Sequence, residues 1–185
     1  SLNALPLDLR CAAAQSDAMS VTPQTMSDLP VATDTPGSGR AVRLVRPDPV
    51  MAQPLILSSP HSGRDYPVDL CAQTPIPVEQ LRRSEDAYVD RLIDGAELNG
   101  ASLLYALFPR VFVDVNRARG ELDPAMYRDR ADLRADPPSR RVASGLGVIP
   151  RVGSAGQQLY RRRLSVEDAH TRLARFYEPY HQGLA

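Results

Sequence analysis

The 185-residue chain has no lysine, no tryptophan, two cysteines and few aromatic residues (5%). Without lysine there is no Schiff-base nucleophile and no lysine-bearing phosphate loop. All 22 cationic side chains are arginines, balanced by 22 Asp plus Glu, so the formal net charge is zero. No overall field therefore draws in nucleic acid or a membrane surface. No apolar run reaches the length of a membrane span, and no basic stretch leads into an apolar block as in a secretory signal. Cys11 and Cys71 lack a C-x-x-C partner and disulfide-like spacing, which points to a reducing, cytoplasmic setting. No internal repeat is present.

Residues 1–40 mix Ser, Thr, Asp, Pro and Gly without helical or strand periodicity. Such a segment buries too little to offset its ordering entropy and is expected to be a poorly ordered tail. A globular unit is expected over 41–185. Within it, "PLILSS" (54–59) reads as a strand buried on both faces. "SEDAYVDRLIDGAELNG" suggests a helix with Ser84 as N-cap and Gly100 as its stop. "ASLLYALF" (101–108) and the alternating "RVFVDV" (110–115) suggest two more strands, and "GLGVIPRV" another. Residues 119–143 read as loop. A terminal helix should begin at a Ser165/Asp168 capping box and kink or end at Pro179. Strands mixed with helices suggest a three-layer α/β/α fold around a mostly parallel mixed sheet.

Three constellations carry chemistry. His61 stands where the 54–59 run opens into Ser58, Ser59, Ser62 and Gly63. Ligands of open α/β sheets gather beyond the carboxyl ends of strands, although a lone loop histidine bonded to backbone is the plainer reading. Glu85 and Asp86 suit the first turn of a helix through its dipole, or one of them joins His61 on a metal. Hydrolytic zinc is commonly held by two histidines and one carboxylate with a position left open, and spacing does not choose between the two acids. In "FPRVFVDVNRARGELDP", Asn116 and Arg117 are suited to grip a substrate carboxylate, and Arg110 to polarise a carbonyl or stabilise its oxyanion. A surface ion-pair network among Arg110, Asp114, Arg117 and Glu121 is the alternative. Arg151, past "GLGVIP", could reach an anionic ligand. "RRR" (161–163) reads as a solvated patch, given the neutral chain.

Taken in order, "SSPHSGRDYP", "LRRSEDAYVDRL", "FPRVFVDVNRARGELDPAMY", "GLGVIPRV", "LYRRRL" and "YEPYH" make the chain resemble the N-formylglutamate amidohydrolase (N-formylglutamate deformylase) family over about residues 53–183. The resemblance implies a fold like the zinc carboxypeptidases and aspartoacylases, of the phosphorylase/hydrolase-like type. It implies Zn2+-dependent hydrolysis of N-formyl-L-glutamate, or a close N-acyl amino acid, to formate and glutamate, often within histidine catabolism. His61 becomes a metal ligand, with Glu85 ahead of Asp86 as the acidic one. Asn116 and Arg117 would hold the substrate carboxylate, with Arg151 as a further binding residue, and Arg110 would assist the scissile carbonyl. The family pattern runs on to a His-Ser-Met segment expected to bring a second histidine. The chain stops at Ala185, so it is read as an N-terminal portion with the C-terminal part missing, a truncated product, or a degenerate homologue. The alternatives are an aspartoacylase- or carboxypeptidase-like hydrolase of another N-acyl amino acid, and a non-catalytic carboxylate-binding homologue. The expected partner is the small-molecule substrate, with no nucleic acid and no membrane.

Overall fold

The computed structural model describes residues 40–185; apart from Arg40, the expected tail lies outside the described residues. Three short strands, β1 (Val42–Val45), β2 (Ile56–Ser59) and β3 (Ser102–Ala106), form a sheet in the order β1-β3-β2. The most apolar strand takes the centre: Leu103, Leu104, Tyr105 and Ala106 are all buried. β1 runs antiparallel to β3 and β2 parallel to it, so the described sheet is mixed rather than mostly parallel. Strand alternation sends Leu104 and Ala106 to one face and Leu103 and Tyr105 to the other. The first pair joins the main core with Phe108, Phe112, Leu173 and Tyr180, and the second packs with Ile93 and Ala96. Helical pieces thus cover both faces of a mixed α/β unit.

Several local expectations change for physical reasons. β2 is an edge strand among the described residues, with Ile56 and Ser58 exposed, rather than a strand buried on both faces. Residues 110–115 are not a strand. A turn closes from Phe112 N to Pro109 O, Asp114 N bonds the distant Val148 O, and Val111, Phe112, Val113 and Val115 are all buried. Irregular chain fills the core there because another loop satisfies its backbone. "GLGVIPRV" contributes only an isolated bridge from Val152 to Gln158.

The helix expected from Ser84 to Gly100 is broken into a 3-10 turn at Arg82–Ser84, α3 (Val89–Ile93) and a second 3-10 turn at Ala96–Asn99. Two shorter helices, α1 (Val68–Gln73) and α2 (Val78–Leu81), precede it. Asp86 N donates to His61 O at 3.0 Å, which draws the segment before α3 onto the histidine loop and out of helical geometry. Tyr88, not Ser84, then caps α3, at a left-handed φ of 65°, a conformation costly for a bulky residue. Leu92, in the middle of α3, is exposed.

A single turn, α4 (Arg140–Ala143), interrupts the 119–143 loop. The terminal helix keeps its capping box: Ser165 accepts from the Asp168 backbone and the Asp168 side chain accepts from Ser165. It does not end at Pro179. α5 (Val166–Arg172) passes through a π-helical segment, Leu173–Tyr177, into α6 (Glu178–Leu184), with the proline at the first positions of α6. A π-type bond from Glu178 N–H to Leu173 O carries the helix up to Pro179, which sits in the first turn of α6, where its missing N–H is tolerated. Cys71, left unpaired in the sequence reading, is disulfide-bonded, so the cysteines give no support to a reducing compartment. Among the described residues no helix is long and apolar enough to cross a membrane.

The capping box is the one strong local stop-start signal on a helix that carries Val166, Ala169, Leu173 and Tyr180 into the core. Ser165→Ala should therefore lower unfolding free energy by about 1 kcal/mol. In urea denaturation this appears as a lower midpoint with an unchanged slope.

Candidate functional site

Because β2 and β3 are parallel, their carboxyl ends leave the sheet on the same side, and the loops that follow meet. Asp65 N donates to Leu107 O at 2.9 Å. Gly63 lies so close to the Leu107–Phe108 backbone that any Cβ would overlap it. The "PHSG" turn is therefore locked against the chain that leads to Arg110 and Asp114. Within the turn, the Ser59 and Ser62 hydroxyls bond each other at 2.7 Å, and Ser62 Oγ donates to Asp86 O at 2.9 Å.

These contacts bring His61, Asp86, Arg110 and Asp114 into a closed ring. His61 is 4% exposed. Its Nε2 lies 2.9 Å from Asp114 Oδ1 and its Nδ1 lies 3.3 Å from Asp86 Oδ2. Arg110 closes the ring from the cavity side, donating from Nη2 to Asp114 Oδ2 at 2.9 Å, with Nη1 3.6 Å from Asp86 Oδ1. Asp114 also accepts from Asn116 N at 3.0 Å and lies 3.7 Å from Arg117 Nη2. A cavity of about 310 Å³ opens over the ring, lined by Asp86, Arg110, Asp114, Arg117, Leu146 and Val152, among others.

The other expected site residues are distributed unevenly. Glu85 also borders the cavity, but its Oε1 accepts from the Tyr66 hydroxyl at 2.7 Å and its Oε2 sits 3.6 Å from Arg82 Nε. Between the two adjacent acids, only Asp86 meets His61 directly. Arg117 reaches the cavity while donating to Leu146 O and Asn116 O. Asn116 is exposed and is not part of the cavity wall. Arg151 is held elsewhere, donating from Nε to Asp123 Oδ2 at 2.9 Å. His181 packs on Tyr177 and places Nε2 3.1 Å from Val115 O; His170 is exposed. Of the ion-pair network read from sequence, Arg110 and Arg117 do converge on Asp114. Glu121 instead accepts from the Ser139 hydroxyl and Ala118 N. Asp114 is the site residue that sequence reasoning undervalued. The signal was there: a single acid inside the apolar run "VFVDV", which if buried must be paired.

Zinc in a hydrolase needs three protein donors and an open position. Among the described residues no group of three His, Cys, Asp or Glu side chains is disposed to hold a metal ion, and both His61 nitrogens already face carboxylates. The described residues alone do not make that shell.

Burial alone would raise the Asp114 pKa, but the hydrogen bond and charge of His61 and the Arg110 guanidinium outweigh it and hold the carboxyl down at about 2. A carboxylate depressed in the folded state stabilises it above its ordinary pKa near 4 and loses that contribution as pH falls through about 2. Denaturation midpoints should thus fall between pH 4 and pH 2, with about 2 kcal/mol of the loss absent in Asp114→Asn. Equal acid sensitivity in both proteins would remove Asp114 from this role.

Comparison with known proteins shows what the chain is similar to. The family model for N-formylglutamate amidohydrolase matches residues 53–185, which include every member of the ring. An N-formylglutamate deformylase of Pseudomonas aeruginosa is 32% identical over 136 residues, covering 71% of this chain and 44% of that protein. The crystal structure of an N-formylglutamate amidohydrolase from Ralstonia eutropha JMP134 superposes with a TM-score of 0.68 at 34% identity, covering 78% of this chain and 50% of that one. The chain thus spans about half the length of the relatives it matches. With the match running unbroken through both loops that build the ring, the chain belongs to the N-formylglutamate amidohydrolase family.

Proposed function

We propose that the protein carrying this chain is an amidohydrolase that cleaves N-formyl-L-glutamate, or a close N-acyl amino acid, to formate and glutamate. The observation that supports this most directly is the cavity walled by Arg110, Arg117, Asp86 and Asp114, within the segment matched by the family. Arg110 lies partly open on the cavity wall, where its guanidinium can meet a carbonyl oxygen as charge develops on it. Arg117 offers a planar fork for the substrate carboxylate. Asp114 holds both guanidiniums and the His61 ring in place. The carboxypeptidase- and aspartoacylase-like fold and zinc dependence belong to the same proposal. His61 and Asp86 would be two of the donors, with the rest of the shell coming from outside the described residues.

A second reading follows from the incomplete set of metal donors: a homologue that binds small carboxylates without turning them over. The two separate in one set of assays on the full-length protein, combining metal analysis with formate release from N-formyl-L-glutamate. N-acetyl- and N-succinyl-glutamate serve as competitors. The hydrolase reading expects bound zinc and a kcat/KM for the formyl substrate at least about 10-fold above the bulkier acyl groups. It also expects a loss of about 100-fold in kcat in Arg110→Ala. Glutamate binding that survives a chelator, with no turnover, would replace it with the binding reading.

A further inference from the structure

The arginines at 161–163 are exposed, as a solvated patch should be, but their backbone is not loose. Leu159 N bonds Arg151 O, Arg161 N bonds Gln73 O, and Leu164 N bonds Met126 O, so the backbone is tied down before, within and after the triplet. Arg128 joins from the neighbouring segment, its N–H donating to Leu164 O at 3.0 Å. All four arginines line one cavity of about 340 Å³, and the triplet also lines an adjoining cleft of about 240 Å³. None of the four makes an ion pair among the described residues, although the chain holds as many acids as bases. The one carboxylate on the larger cavity's wall, Asp168, spends its Oδ2 on the Ser165 cap.

A fifth cation lies behind the wall. Arg172 is 4% exposed and donates to the Tyr160 hydroxyl and Gln73 Oε1, with its guanidinium over the Phe112 ring. Its hydrogen-bond partners are neutral; the charges of Arg172 and Arg128 both act on Asp168, the single carboxylate set against five cations at this cleft. Like charges gathered on a pinned backbone repel one another until an anion enters between them.

We propose that this cleft binds a small anion carrying a diphosphate group, either free pyrophosphate or the diphosphate of a nucleotide. Several guanidinium forks around one cavity need more acceptor oxygens than a single carboxylate or phosphate offers, and two linked phosphates supply them. The volume suits a small molecule. The neutral chain gives no wider field for a nucleic-acid strand.

Calorimetric titration of the full-length protein at about 0.15 M salt tests this with inorganic pyrophosphate, ADP, phosphate, citrate and a single-stranded RNA oligomer. Pyrophosphate or ADP should bind at least about 10-fold more tightly than phosphate or citrate. Tighter ADP binding assigns the site to a nucleotide, and equal binding assigns it to the diphosphate alone. Arg128→Gln and Arg163→Gln, both at exposed side chains, should each weaken binding about 10-fold, and Arg128→Lys nearly as much, since a point charge lacks the fork. Arg130→Gln, outside the cavity, should change nothing. Similar affinity for all the small anions, RNA bound more tightly than pyrophosphate, equal weakening by the Arg130 control, or no binding would each overturn the proposal.

Discussion

The site depends on one buried carboxylate. Asp114 is 3% exposed, and burying its charge is tolerable only because His61, Arg110 and the Asn116 N–H all turn toward it. Arg110 and Asn116 are its near neighbours in sequence, but His61 has to be brought in. His61 arrives on the loop after β2, Arg110 on the chain after β3, and Asp86 through two hydrogen bonds to the histidine loop. Three stretches, around 61, 86 and 110–116, therefore meet at the site, and the buried charge engages the first of them directly. The absence of lysine sharpens the effect, because a guanidinium keeps its charge at any ordinary pH and never leaves the carboxylate unopposed.

How much of this could be read from the sequence varies with how local the cause is. β3 was legible because its continuous apolar run has a single sensible environment, the middle of a sheet. The Ser165 capping box was legible because both halves lie three residues apart. Residues 110–115 misled because alternation signals a strand only where a neighbouring strand exists to pair with. Here Val148, far along the chain, takes the hydrogen bond instead. The helix expected from Ser84 failed for a related reason, since a backbone bond from Asp86 to His61 outweighs the local preference.

The candidate site shows the same division. His61 and Arg110 could be singled out from their positions after apolar runs. Spacing could not separate Glu85 from Asp86, because adjacent residues in extended chain point in different directions: one meets Tyr66, the other His61. From sequence, Arg151 past "GLGVIP" could reach an anionic ligand. Only the fold reveals that Asp123 already holds it.

The position of β2 has a consequence for how the site is held. Among the described residues this four-residue strand has one neighbour in the sheet, and the Ser58 hydroxyl, bonded to Tyr180, ties it to the terminal helix. None of its residues belongs to the Phe108–Phe112–Leu173 core, yet it ends at Ser59 and leads directly to His61. The ring's histidine therefore stands on an element outside the main core, held in place by the β2–β3 ladder and by the Asp65–Leu107 and Asp86–His61 backbone bonds. The contacts that assemble the site are thus a different set from those that pack the core.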